Sequence, residues 1–221
     1  LLLLLKKNIS IYLYEEMSGE IMKITCDKQK LNEAVLNIQK AVSTKSSVPA
    51  LEGILIRTEE NSVFLCGYDL ELGITTVFDC SVEEKGSIVL NARLFSEIVR
   101  RLPAPEVTIS SDEKQMAIIK SGEAEYSIVG IPAQEYPELP SIDAGAAIEL
   151  PGGVLKSMID QTLFATAITD SKPVHMGSLF ELKDGVLSVV SVDGYRLAIR
   201  KEKITSDKAL SFVVPGKVLG E

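Results

Sequence analysis

Residues 88–103, IVLNARLFSEIVRRLP, hold the unit from which the rest of the chain is built. Ile88, Val89 and Leu90 make a short apolar run suited to a buried strand, and Asn91 stands where a side-chain oxygen can accept from the orphan amides of a first helical turn. The spacing predicts a helix next. Leu94, Phe95, Ile98, Val99 and Leu102 recur at three- and four-residue steps as one apolar face, Arg93, Arg100 and Arg101 fall away from it, and Pro103 ends it. By itself this is an ordinary amphipathic surface helix.

The same order of strand, cap and helix recurs along the chain. It starts at Ile24, with Asp27 as the cap and Leu31, Val35, Leu36, Ile38 and Val42 as the stripe. It returns at Ile148, where Pro151 opens a helix carrying Leu155, Met158, Ile159 and Leu163, and again at Phe212, which leads through Pro215 into a last helix. These starts are spaced 64, 60 and 64 residues. Between them, residues 51–57, 62–67, 73–80, 107–110, 116–120, 126–130, 179–182, 187–192, 196–201 and 210–214 read as short strands, with a hairpin at Asp193-Gly194. Residues 131–147, rich in Pro, Gly and Ala without a period, read as a linker.

A constant offset of 124 relates Ile24 to Ile148, Leu31 to Leu155, Pro49 to Pro173, Gly53 to Gly177, Asp69 to Asp193 and Ser87 to Ser211. Such a register marks an internal duplication. A helix with a few antiparallel strands cannot bury its own sheet, so paired units forming tandem α+β domains are expected. The predicted division is 22–141 for a first domain and 142–221 for a second. On the repeat count that second domain is expected to be truncated.

Composition narrows the function classes. Of 221 residues, 46% are hydrophobic, ample for packed cores. Cys26, Cys66 and Cys80 are an odd number without CxxC spacing, which favours a reducing cytoplasm and a role as buried hydrophobes. His175 is the single histidine, so neither a metal cluster nor a cofactor is expected. No apolar run approaches the roughly 18 residues of a membrane span. Residues 1–21 differ in pattern from the repeats and read as an extension, with Met22 the expected start and Asn8-Ile9-Ser10 an accidental glycosylation pattern.

Net charge is −8, yet it is segregated. Residues 49–86 hold eight acids against Arg57 and Lys85, whereas residues 27–45 and 91–102 each carry +2. Strands and turns are acidic and two helices are basic. An enzyme would have to use Asp69 with Glu71, or Asp193 with Arg196, and neither pair has a nucleophile or a Gly-rich phosphate loop beside it. A repeat-built protein-binding module is the other alternative.

Five stretches carry a family resemblance: MKITCDKQKL at Met22, GYDLELGI at Gly67, IVLNARLFSEIVRRLP at Ile88, IPAQEYPELP at Ile131 and SVDGYRLAIRK at Ser191. In order and spacing they resemble the bacterial sliding clamp, the beta subunit of DNA polymerase III, over nearly everything from Met22 onward. The resemblance implies the DNA-clamp fold and a ring-shaped homodimer of three-domain chains, the third domain being absent here. Such a ring encircles double-stranded DNA without reading sequence, a non-catalytic processivity factor in DNA replication. It implies a DNA-facing set of Lys45, Arg93, Arg100, Lys172 and Lys217. It also implies a groove for linear motifs of the replicative polymerase, the clamp loader and repair proteins, built from Lys172, Pro173, His175, Gly194, Tyr195, Arg196 and Leu197. His175 stands where the family usually has an aliphatic residue, and Tyr195 where His is commoner. Tyr126 falls in the strand that resembles the first-domain side of the ring interface, and without a third domain this chain is expected to be monomeric.

Overall fold

The computed structural model describes residues 21–140, 148–169 and 172–221. The expected extension, apart from Ile21, lies outside the described residues, as do the expectations about Asn8 and residues 141–147. The chain divides after Pro140 into two compact units.

In the first unit, β1 (Lys23–Asp27) runs straight into α1 (Lys28–Ile38), because Asp27 Oδ1 accepts from the Lys30 amide at 3.0 Å and caps the helix. There follow β2 (Gly53–Thr58), β3 (Ser62–Tyr68), β4 (Gly73–Asp79), β5 (Ser81–Glu84) and β6 (Ser87–Asn91). Asn91 repeats the capping device, its Oδ1 accepting from the Leu94 amide at 3.1 Å, and α2 (Ala92–Arg101) begins. Three strands complete the unit: β7 (Glu106–Ser111), β8 (Met116–Ser121) and β9 (Ala124–Val129). Pairing is antiparallel throughout, in a four-stranded sheet ordered β4-β3-β2-β6 and a five-stranded sheet ordered β5-β1-β7-β8-β9.

Both sheets feed one core. Ile24, Ile56, Leu65, Leu90, Ile109 and Ile119 from the strands meet Leu31, Val35 and Ile38 of α1 and Phe95 and Val99 of α2. The two helices lie side by side, tied where Ser96 Oγ donates to Gln39 Oε1 at 3.0 Å and where the Lys28 ammonium donates to the Leu102 carbonyl beyond the end of α2. A cation on those last carbonyls also complements the helix dipole.

Three local expectations are corrected. Leu36 and Leu94 belong to no apolar stripe, being 47% and 52% exposed, because each sits about 100° around the helix from its buried neighbour, Val35 or Phe95. The strand expected over 51–57 begins at Gly53, after a 3-10 turn at Pro49–Glu52. The segment read as a linker is not free over 131–139. Ile131 exchanges backbone hydrogen bonds with Val89 at 2.9 and 3.0 Å, and Tyr136 is buried with its hydroxyl donating to the Cys66 carbonyl at 3.4 Å. It is a strap over the outer face of the four-stranded sheet, where Ala50, Leu51, Cys66, Tyr68 and Val89 form a second small core beneath it.

The second unit has α3 (Gly152–Asp160), β10 (Gly177–Lys183), β11 (Val186–Val192), β12 (Leu197–Lys203), β13 (Leu210–Pro215) and α4 (Gly216–Gly220). Its sheet order, β12-β11-β10-β13, reproduces β4-β3-β2-β6, and subtracting 124 lays β11 on β3 and β12 on β4 residue for residue. The duplicated glycines explain part of this register. A Cβ on Gly53 would lie 2.4 Å from Val89 Cγ1, and one on Gly177 would lie 2.7 Å from Val213 Cγ1, so both copies need the bare backbone at the start of the strand. Met158, Phe180, Leu182, Leu187, Val189, Val214 and Val218 are buried, and the Phe180 and Phe212 rings stack at 5.7 Å. Among the described residues no helix is long and apolar enough to cross a membrane.

Candidate functional site

Helix α2 turns Ala92, Phe95 and Val99 into the core and leaves Arg93, Arg100 and Arg101 in solvent. These positions, with Glu97 between them, form one outward row. Arg93 Nε lies 3.6 Å from Glu97 Oε1, an exposed pair worth little that leaves the row net positive. Arg101 shares that row and Lys30 is exposed on α1, whereas Lys28 is engaged in closing α2. Lys45 is exposed on the segment that follows α1, apart from the α2 row. In the second unit Lys217 is exposed at the second position of α4, the counterpart of Arg93 in α2, and Lys172 is exposed just before the turn Pro173–Met176. Weakly paired surface cations of this kind attract phosphates without reading bases.

The turn between β11 and β12 is closed by Asp193. Its Oδ1 accepts from the Tyr195 and Arg196 amides at 3.0 and 3.1 Å, and its Oδ2 accepts from Arg196 Nε at 2.8 Å. The Tyr195 amide bond foremost, then the Arg196 contacts, hold the Asp193 carboxyl below its usual range. Gly194 takes φ +91°, which favours glycine. The result is a stiff turn with Tyr195 wholly in solvent and Leu197 60% exposed. The Arg196 guanidinium lies 5.6 Å over the ring of Phe164, itself largely exposed. Phe164 escapes a sequence reading because it follows the α3 stripe without sharing its period; an aromatic out of phase is the signal available.

Segment 163–167 links this turn to the other predicted residues. Arg196 meets Phe164, and three residues on the Ala167 amide donates to the His175 carbonyl at 2.8 Å, within the turn of Pro173, Val174 and His175. Pro173 and Val174 are exposed and His175 is half-buried. In the first unit the counterparts of Val174, His175 and Val213 are Ala50, Leu51 and Val89, which lie beneath the strap. An apolar surface with a few fixed polar groups suits a linear peptide. Tyr126 sits on β9, a free edge of the five-stranded sheet, where Val129 is also exposed and Lys120 pairs with Glu125 at 3.0 Å. Such an edge offers unpaired backbone groups to another chain.

The carboxylates considered for chemistry have structural roles. Asp69 Oδ1 accepts from the Glu71 and Leu72 amides at 3.0 and 2.7 Å, closing the β3–β4 turn as Asp193 closes its copy. Burial pushes the thiols of Cys26 and Cys66 up to about 12 and that of Cys80 up to about 11, which disfavours the nucleophilic thiolate. Among the described residues no group of three or more His, Cys, Asp or Glu side chains could hold a metal ion.

Comparison with known proteins gives two successive matches. The family described as DNA polymerase III beta subunit, N-terminal domain, matches residues 22–140, and that described as DNA polymerase III beta subunit, central domain, matches residues 149–221. The beta sliding clamp of Bacillus subtilis is 38% identical over 210 residues, which is 90% of this chain and 56% of the relative. That of Halalkalibacterium halodurans is 35% identical over 212 residues, with the same shares of 90% and 56%. The crystal structure of the DNA polymerase sliding clamp from Bacillus subtilis superimposes with a TM-score of 0.87 at 37% identity, covering 90% of this chain and 55% of that one. A sliding clamp from Bartonella birtlesii bound to griselimycin gives 0.83 at 29% identity, covering 90% and 55%. The chain thus spans a little over half the length of the curated relatives it matches.

Proposed function

The chain belongs to the DNA polymerase III beta subunit family, and on that premise we propose that it forms part of a sliding clamp, a ring-shaped homodimer that encircles duplex DNA and tethers the replicative polymerase. Its α+β architecture is the DNA-clamp fold. On this reading the protein is a non-catalytic, cytoplasmic processivity factor, with residues 22–141 and 142–221 as the first and second clamp domains. The observation that carries it is the in-order match of two consecutive clamp-domain families to the two units of the fold.

The parts then take physical roles. Arg93 and Arg100, with Lys45, Lys172 and Lys217, supply diffuse attraction to phosphates, which holds DNA while permitting sliding, and the acidic strands discourage binding on other faces. The surface of Lys172, Pro173, His175, Gly194, Tyr195, Arg196 and Leu197 receives linear motifs of the polymerase, the clamp loader and repair proteins. A relative solved with griselimycin bound is consistent with a clamp surface that accepts a ligand. Tyr126 belongs to the edge that meets the next subunit of the ring. The test is retention of the full-length protein on nicked circular DNA after loading. A clamp stays bound to the circle and is lost when the circle is linearised; equal retention on both would overturn the reading.

A further inference from the structure

Cys26 and Cys80 lie together just beyond the last pair of the β1–β5 ladder, where both line one groove. The register sets Ile24 against Val82 and, as its last pair, Thr25 against Ser81, and the same register continued by one residue would set Cys26 against Cys80. Opposed residues on antiparallel neighbours point to the same face with Cα atoms about 4.5–5.5 Å apart. That separation lies inside the roughly 4.4–6.8 Å that a disulfide spans. The faces agree too: Ile24 and Cys26 are buried in the first unit's core, and Val82 and Cys80 pack against that core. Cys80 is also the residue at which the chain leaves one sheet for the other, since β4 ends at Asp79 and β5 begins at Ser81. Its amide donates to the Asn61 carbonyl at 3.1 Å, which fixes the corner. A shallow groove lined by Cys26, Asp79, Cys80, Pro105 and Glu106 gives a small oxidant access to the pair.

We propose that Cys26 and Cys80 are a redox modification site, a dithiol that hydrogen peroxide converts to a cross-strand disulfide stapling the corner between the two sheets. The half-exposed Cys80 thiolate attacks the peroxide O–O bond, giving a sulfenic acid and hydroxide, which leaves as water on protonation. The Cys26 sulfur then attacks the sulfenic sulfur, the S–S bond forms and a second water departs. Two thiols and one peroxide give one disulfide and two waters, so peroxide takes up the two electrons that the two sulfurs lose. Cys66 stands apart, in the small core on the outer face of the four-stranded sheet. Desolvation raises both reacting thiols, with Cys80, Asp27 and Glu106 adding to the effect on Cys26 and Asp79 to that on Cys80. Thiolate is therefore scarce at neutral pH, and the reaction quickens about tenfold per pH unit towards alkaline solution.

Peptide mapping of the peroxide-treated chain at mildly alkaline pH, digested without reductant, tests this on the unaltered protein. The expected product links the Cys26 and Cys80 peptides, weighs about 2 Da less than the free pair, and reverts with dithiothreitol. Cys66 stays alkylatable and the melting temperature rises on oxidation. Cys80→Ser abolishes the link and Cys66→Ala retains it. Oxidation of Cys80 to sulfinic acid without a link, or links made through Cys66 or between molecules, would overturn the proposal.

Discussion

Leu70 and Gly194 occupy the same place in two copies of one turn, and both hold a positive φ, +76° and +91°. In each copy the preceding aspartate accepts from two amides further on, so the bend is imposed from outside the residue that bears it. Glycine adopts this region freely, whereas a side chain there costs roughly 1–2 kcal/mol. Gly194→Ala is expected to lower the unfolding free energy by about that amount, and Leu70→Gly to raise it by less than about 1 kcal/mol, since the freer unfolded chain offsets the relief of strain. Urea titrations with an unchanged slope measure both.

Gly53→Ala and Gly177→Ala should both destabilise, by about 1–3 kcal/mol. The second should cost more. Its new Cβ would stand 2.5 Å from the Val214 carbonyl oxygen, a backbone atom, whereas the nearest atom to the first is a valine methyl at 2.4 Å that a rotamer change can move. Equal losses would mean that β13 shifts as readily as Val89 does.

The strap is expected to peel when its anchor is cut. Tyr136→Ala should cost about 3–5 kcal/mol, as for other buried aromatic rings. Tyr136→Phe, which removes the hydroxyl's contacts with Cys66 and with the Tyr68 backbone but keeps the ring, should cost only about 1 kcal/mol. Hydrogen exchange at the Ile131 amide, bonded to Val89 at 2.9 Å, reports the strap directly and should accelerate in the alanine variant alone.

Stability should fall in alkaline solution. The thiols of Cys26 and Cys66 are lifted to about 12 from an ordinary 9.0, so above pH 9 the unfolded chain sheds protons that the folded chain keeps. Unfolding is then favoured as pH rises, by up to about 1.4 kcal/mol per pH unit for each buried thiol, over the window from about 9 to 12. Tyr136, also raised by burial, adds to the loss above its ordinary value of 10. Unfolding between pH 8 and 10.5 measures the slope, and Cys66→Ala should make it shallower.

Neutralising Arg93 and Arg100 together as Gln should leave folding stability within about 0.5 kcal/mol, since both side chains are exposed. Equilibrium binding of the chain to linear duplex DNA should become less salt-dependent, the logarithmic slope dropping by about 2 if both arginines meet phosphates. An unchanged slope would remove them from the DNA-facing set.

Asp27 and Asn91 are legible as caps because a short acceptor before an apolar period has one favourable use, and the offset of 124 shows, before any coordinate is known, that the second set of strands copies the first. Leu36 and Leu94 mislead because a count of apolar spacings tolerates a neighbour about 100° off the true face. Strand β5 hides because Val82 is its one apolar residue. Its place is fixed by partners: Glu83 accepts from Thr25 Oγ1 at 3.2 Å and pairs with Lys23 across the strands. Tyr136 sits beside Pro137 and reads as punctuation, while the contact that buries it lies 70 residues away. Of the candidate site, Asp193 to Leu197 is written locally in one turn, but the arrival of Phe164 beside Arg196 is tertiary and leaves no spacing to find.

The place of β1 inside its sheet has a consequence for synthesis. Thr25 meets Glu83 on one side and Thr108 on the other, partners 58 and 83 residues later in the chain. At roughly 5–20 residues per second of translation, β1 waits on the order of 4 to 16 seconds after it is made for its second neighbour. Through that interval β1 has at most β5 beside it, so one edge of the strand that carries Ile24 and Cys26 stays open to the ribosome surface and to chaperones until β7 emerges.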